Sequence, residues 1–493
     1  MFSYSKFEHG YDKSYFKYTE PLSEDFELTV NGESVPVYTC RISKYPINRV
    51  WPGEQRPATQ TELASFVNLV SDEPISLTVK VKRKYSRILI KPYSKGISFT
   101  ERGEDVSFEL KENGAFVFEA DSYHHCLYIF NSKPIPAPAP TEVTHFFGPG
   151  IHMTGKITLN DGESVYVDKD ALVFGCIFAD GAKNIRIFGN GIFDDSAEGR
   201  FHNCCYEEFT NGNIKFYSCE NVSVEGVSFR NSAIWCVNVF NCRNVTLDGI
   251  RVFGQWKYNT DGVDIVNSRY VTVKNSFIHS FDDTVTIKGI DRFAGTDNEH
   301  ILIENCTLWC DWGRTCEIGI ETACRRYNDM VFDNCDILRA GNTALDIQNG
   351  DTAEISNVTF KNIRVEYNAF DTPEVYQSSD EVKYDRMNET AYPYLISIKN
   401  NRWRTKENEV IWGLPMEYLT DVDFSGVENG GVHDVTVRDI TVYYDDYLPL
   451  EDGKFNIKTV AYSFLEGVKF YNLKAQDIKV VYRGEVFPLE VVL

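Results

Sequence analysis

A short phrase of the form N-V-x-V-x-(G/N)-(V/I)-x-(V/F) recurs along the second part of this chain, in copies that begin at Asn184, Asn221, Asn244, Tyr270, His300, Asp329, Asn357 and Asp434. Most neighbouring copies lie 23 to 30 residues apart. A period of that size is one coil of a solenoid, since a single unit cannot bury its apolar face alone and must stack on the next. Each copy reads as a strand, a Gly or Asn bend and a second strand. Inward Val, Ile, Leu and Phe would stack from coil to coil, and the interspersed Thr and Ser suit strands better than helices. Asn at the corners tolerates left-handed backbone and can form side-chain ladders. A leucine-rich horseshoe would need a Leu-dominated signature, and a propeller would need longer blades. The pattern predicts a parallel β-helix over residues 141–493. An insertion at about 367–431 breaks the period with PEVYQSSDEVKYDRMNETAYPY and RWRTKENEVIWG. An insertion in a regular solenoid commonly sits on the binding face, though it can equally be a packing cover.

Residues 1–140 follow a different rule. FELTV, ISLTVKV, VSFEL and AFVFEA are short alternating runs, with Asn31-Gly32 and Asn113-Gly114 as hairpin signals. They predict an antiparallel β-sandwich. It ends at KPIPAPAPTE, whose spaced prolines favour a stiff, extended connector. The fold class expected for the whole chain is all-β.

Charge and cysteine usage narrow the setting. The chain has 50 Lys and Arg against 72 Asp and Glu, a net charge of −22, so its field repels polyanions. Nucleic acid and membrane surfaces are therefore not expected partners. The N-terminus shows no secretory pattern and no segment reaches membrane-spanning length. Thirteen cysteines is an odd number, and Cys176, Cys236, Cys306 and Cys335 fall at strand-like apolar positions. They read as buried free thiols in a reduced compartment. The expectation is a cytoplasmic protein, or an extracellular one if the sequence is a processed form. The pairs Cys306/Cys310 and Cys204/Cys205 lack the partners or spacing of an ordinary zinc site, so no metal is expected.

Chemistry concentrates between Asn259 and Lys288. NTDGVD is followed, twenty-one positions after Asp261, by Asp282-Asp283 in FDDTVTIKG. Stacked coils would bring these carboxylates within about one strand spacing, roughly 4.8 Å. Glycosidic hydrolysis commonly needs one carboxylic acid for the leaving oxygen and a second carboxylate for water or attack. Adjacent strand residues point to opposite faces, so both members of the doublet reach one groove only through a bend or bulge.

NTDG, the doublet at this distance and TIKG resemble glycoside hydrolase family 28, the polygalacturonase family. A sandwich followed by a β-helix resembles family 49, the dextranases and isopullulanases. The resemblance implies a right-handed β-helix and an inverting hydrolase that needs no cofactor or metal. It implies Asp282 as general acid, Asp261 and Asp283 as the carboxylates that hold and activate water, and Asn259 and Lys288 at the cleft border. Two departures bear on substrate. Arg314, in GRTCEIG, stands where the family carries His, and LDIQ, with Asp346 and Gln348, stands where it carries Arg-Ile-Lys to grip a uronate. An acid and an amide in place of two cations predict a neutral, α-linked oligo- or polysaccharide substrate.

Trp235, Trp256, Tyr258, Trp309 and Trp312 fall within two coils of the aspartates and are candidate stacking platforms, each of which could also be a core or edge residue. Arg314 and Glu317 are candidates for sugar hydroxyls or for a surface ion pair. Asp248 and Asp264 read as turn-stabilising, and His124 and His125 as structural. Two other classes fit the same architecture: a non-catalytic carbohydrate-binding β-helix, and a polysaccharide lyase. A lyase usually needs an acidic sugar with a calcium ion or basic residues near the acidic group, and the acidic field argues against it.

Overall fold

The structure is a computed structural model that describes residues 2–7, 11–13, 16–44, 61–198, 212–373, 387–400 and 430–493. From His145–Phe147 to Glu485–Pro488, a 28-stranded sheet coils on itself, with parallel pairing between successive turns. The result is a right-handed parallel β-helix. Its interior is a set of registered apolar columns. One runs through Val245, Val271, Ile301, Met330, Val358 and Val435, and the next through Leu247, Val273, Ile303, Phe332, Phe360 and Val437. Burial of each such side chain contributes about 1.5–3 kcal/mol.

The corners explain the repeat. All eight residues that begin a copy of the phrase have left-handed backbone, with φ between 54° and 60°. Asn is favoured there because its short polar side chain tolerates that region and can bond along the stack. Asn244 donates to Asn221 at 3.0 Å, and Asn221 to Asn184 at 3.1 Å. Where the ladder changes type the geometry persists: the Tyr270 and His300 rings stack at 4.7 Å.

The N-terminal part is a sandwich of a six-stranded and a five-stranded sheet. Asn31 and Gly32 both have positive φ and join Phe26–Val30 to Glu33–Val35 as a tight hairpin. Asn113-Gly114 does not form the expected hairpin. Asp105–Leu110 lies in one sheet and Gly114–Ala120 in the other, so the chain crosses between sheets there. One pair, Thr61–Val70 with Ser122–Ser132, is parallel rather than antiparallel.

The two parts share an aromatic core. Phe66, Tyr128 and Phe130 of the sandwich pack on Phe253, Phe277 and Trp309 of the β-helix. Buried ion pairs cross the same junction. Lys91 meets Glu119 at 3.4 Å and Glu366 at 3.2 Å, while Arg230 reaches Glu20 at 2.9 Å and Asp194 at 2.5 Å.

The expected insertion is only partly described. Residues 374–386 and 401–429 lie outside the described residues, but between them Tyr394–Asn400 rejoins the solenoid. That strand stacks on Thr343–Asn349 and carries Lys458–Ser463 on its other side. The eleven described cysteines are all buried free thiols, and Cys204 and Cys205 lie outside the described residues.

Candidate active site

One outward column of the β-helix is polar along its length. Asn238, Asp264, Thr286, Glu317, Asp346 and Ser397 stack in register on successive coils. Lys288 lies two residues after Thr286 and therefore projects from the same face. Its ammonium is 2.8 Å from Asp261, 3.1 Å from Asp264 and 3.5 Å from Asp283.

The Asp282-Asp283 doublet sits on a bend between the strands Phe277–Ser280 and Val285–Gly289. That bend turns both carboxyls to one side. A Cβ placed on Gly313 would lie 2.5 Å from Asp282 Oδ1 and 2.4 Å from Asp283 Oδ1, so these oxygens are within about 5 Å of each other. A side chain at position 313 would displace the pair. Asp261 stands one coil away, because the Gly262 N–H donates to the Asp283 carbonyl at 2.8 Å. Asn259 Nδ2 donates to Asp282 Oδ2 at 3.3 Å.

Electrostatics separate the two neighbours. Burial, reinforced by the charge on Asp283, pushes the Asp282 carboxyl well above its ordinary range. Burial opposes ionisation of Asp283 too, but Lys288, Arg314, the facing Glu317 carboxyl and the Arg314 N–H at 2.9 Å outweigh it and hold it below. Burial raises Asp261 well above its ordinary value despite Lys288, and it pushes Asp264 up to about 7. The group therefore has a protonated Asp282 beside an ionised Asp283. An acid and a base on one bend are what general acid-base catalysis requires.

Other expected residues fall into place around this centre. Arg314 and Glu317 do not form a surface pair. Glu317 is fully buried, its carboxyl is pushed well up by burial and by Asp283, and Arg314 lies 3.7 Å from Glu317, 3.7 Å from Asp283 and 3.9 Å from Asp346. Asp346 and Gln348 are buried on the coil beyond. Half-buried Trp312 stacks on Phe281 at 5.7 Å and meets Tyr258 at 5.5 Å, forming an aromatic rim. Half-buried Trp256 donates to Asn231 at 3.2 Å, with Arg41 over its ring.

Two tryptophans are not platforms. Trp235 is 2% exposed and carries the Lys288 ammonium 4.0 Å from its ring centroid. Trp309 is 1% exposed, stacks on His279 at 4.3 Å and donates to Asp311 at 2.9 Å inside the junction with the sandwich. Asp264 is a correction of the other kind. It is not a turn residue but a buried partner of Lys288, and its alternation phase with Thr286 and Lys288 is the signal that places it. Asp248 remains peripheral, paired with Lys274 at 3.4 Å. On earlier coils Cys176, Asp195 and Glu198 hold possible metal-ligand atoms within 4.8 Å of one another. Burial pushes the Cys176 thiol and Asp195 carboxyl up, and Asp195 already accepts the Ala233 N–H at 3.0 Å.

Residues 142–383, which carry the aspartate doublet, Asp261, Lys288 and Arg314, match the family model of glycosyl hydrolases family 28. Over these residues the chain is similar to that family. Probable rhamnogalacturonase A of Aspergillus oryzae is 23% identical over 227 residues, covering 44% of this chain and 46% of that protein. Probable exopolygalacturonase B of Aspergillus fumigatus is 25% identical over 248 residues, covering 45% and 51%. The chain thus spans about half the length of these relatives. Dex49A from Penicillium minioluteum superposes with a TM-score of 0.55 over 87% of this chain and 89% of its own, at 13% identity. That likeness extends through the sandwich and is one of fold.

Proposed function

We propose that the protein is a glycoside hydrolase that cleaves neutral α-linked oligo- or polysaccharides by single displacement. The observation that carries this reading is the unequal surroundings of adjacent carboxyls: Asp283 faces the Lys288 ammonium at 3.5 Å and accepts the Arg314 N–H at 2.9 Å, which favours its ionised form, while Asp282 receives the Asn259 amide at 3.3 Å and is pushed up by burial. Asp282 donates its proton to the leaving oxygen. Asp283 takes a proton from water as it attacks, with Asp261 holding that water from one coil away. Asn259 orients the acid and Lys288 keeps Asp283 ionised.

The neutral substrate rests on Arg314. Its side chain lies beside the doublet, and Asp283, Glu317 and Asp346 surround it within 4 Å. A cation so occupied offers little to a uronate carboxylate. Asp346 and Gln348 add none. The relatives are named for galacturonans, so a galacturonan belongs on the same assay panel and its preferential cleavage would overturn the neutral-substrate reading.

Stereochemistry is a sharp test. Carboxyl oxygens within about 5 Å of each other lie closer than the spacing of typical inverting pairs. We favour inversion because Asp283 Oδ1 accepts the Arg314 N–H and its Oδ2 faces Lys288, which leaves the carboxylate suited to orienting water rather than attacking carbon. A retained anomer at first turnover would contradict this. The eleven buried free thiols support a reducing, cytoplasmic setting for the reaction.

A further inference from the structure

Glu317, on the strand Arg314–Thr322, stands in the polar column between Thr286 on the coil before and Asp346 on the coil after, and it is fully buried. Among the described residues no N–H or hydroxyl donates to either of its carboxyl oxygens. Arg314 Nε is 3.7 Å from Oε1, beyond hydrogen-bond reach. An ionised carboxylate with neither water nor a donor is among the costliest groups a protein can bury. The Glu317 carboxyl instead meets the Asp283 carboxyl in a direct hydrogen bond. Two ionised carboxylates cannot make that contact, since both are acceptors only. One proton therefore lies between them, and the surroundings decide which residue keeps it.

Asp283 has the donors. Its Oδ1 accepts the Arg314 N–H at 2.9 Å and lies 3.7 Å from the same residue's guanidinium, while its Oδ2 faces the Lys288 ammonium at 3.5 Å. Glu317 has acids on both sides. Asp283 touches it from the coil before, and Asp346, in register on the coil after, takes its own share of Arg314 at 3.9 Å. Arg314 thus divides its charge among three carboxyls, and Lys399, on the coil beyond, acts on Asp346. Burial and the Asp283 charge push the Glu317 carboxyl well above its ordinary range, the direction this arrangement requires.

We propose that Glu317 is a positioning residue that stays protonated at neutral pH and donates a hydrogen bond to Asp283, holding that carboxylate ionised and oriented. It contacts no sugar hydroxyl in this role. The assignment rests on the reading of Asp283 as the base.

The test compares Glu317→Leu, which has no donor, with Glu317→Gln, whose amide still donates but cannot ionise, in the full chain. On whichever member of the neutral and galacturonan panel is cleaved, Glu317→Leu is expected to move the acid limb of the kcat/KM profile up by about one pH unit or more, the scale of losing a hydrogen bond to a charged group. It should lower kcat and leave KM nearly unchanged. Glu317→Gln is expected to bring the limb most of the way back. A limb that moves down in both variants would mean that a negative charge had been removed, and a limb that stays in place in folded Glu317→Leu would make the residue merely structural; either overturns the proposal. A second measurement needs no turnover and decides the matter if none is seen or if Glu317→Leu does not fold. With glutamate carrying carbon-13 at its side-chain carboxyl, the Glu317 resonance, assigned by its loss in Glu317→Gln, is expected at the protonated position at neutral pH in wild type and in Asp282→Asn alike. An ionised position overturns the proposal. Undiminished turnover in Asp282→Asn with Glu317 still protonated would fault the general acid and support this assignment.

Discussion

Asp282 and Asp283 are neighbours in the chain and share one bend, yet their carboxyls are driven to opposite protonation states. The cause is geometric. Asp283 faces the Lys288 ammonium at 3.5 Å and accepts the Arg314 N–H at 2.9 Å, whereas among the described residues the Asp282 carboxyl accepts a hydrogen bond from the Asn259 amide alone, at 3.3 Å. The pH profile of kcat/KM follows from this. Activity should fall on the acid side as Asp283 is protonated below the ordinary carboxylate range, and on the alkaline side as Asp282 ionises well above it. An alkaline limb at the ordinary carboxylate range, or one that survives unchanged in Asp282→Asn, would contradict the assignment of Asp282 as the acid.

Lys288→Met removes the cation that Asp261, Asp264 and Asp283 share. With Asp283 no longer held down, the acid limb should move to higher pH and kcat should fall. Breaking a buried charge cluster of this kind typically costs about 3–5 kcal/mol, readable by denaturant titration. An unmoved acid limb in a folded variant would remove Lys288 from the account.

Stability should also respond to pH through Asp264. Its folded carboxyl is pushed up to about 7 by burial, above the ordinary value of 3.8. Between those values the folded chain keeps a proton that the unfolded chain has released, so stability falls as pH rises through that window. Glu366, raised to about 7 by burial, acts in the same direction. Asp264→Asn should therefore lose less in melting midpoint between pH 5 and 8 than wild type, as differential scanning calorimetry would show.

The aromatic residues divide by role. Trp309→Ala opens a cavity in the junction between the two parts and should cost about 3–5 kcal/mol of stability. Trp312→Ala, at the half-buried rim, should leave the melting midpoint nearly unchanged and raise KM by roughly three- to ten-fold, the scale of a lost stacking contact. Comparison of KM with melting midpoint for the two variants checks both.

The repeat was legible because its physics is local. A left-handed residue begins every copy, and Asn, the residue that tolerates that backbone, occupies four of the eight positions. The bend under Asp282 was legible only as a requirement, since a doublet on a straight strand would split across two faces. Asp264 was missed because an aspartate just after NTDG looks like a turn residue, although its phase with Thr286 and Lys288 marks it as groove-facing. The role of Trp309 was not legible at all. It depends on Tyr128 and His279, one of them 181 positions away in the sandwich, and no periodicity reports such docking. Asn113-Gly114 carried a strong local hairpin signal, but the flanking strands found partners in different sheets.

The most direct measurement is proton NMR of the first-formed anomer on a panel of neutral α-linked oligosaccharides and galacturonans, run with wild type and Asp282→Asn side by side. Wild type is predicted to release the inverted anomer from a neutral substrate, with Asp282→Asn folded but about 10²–10⁴-fold slower, the usual contribution of a general acid. Undiminished turnover in Asp282→Asn, or no cleavage of any member of the panel by wild type, would contradict the account.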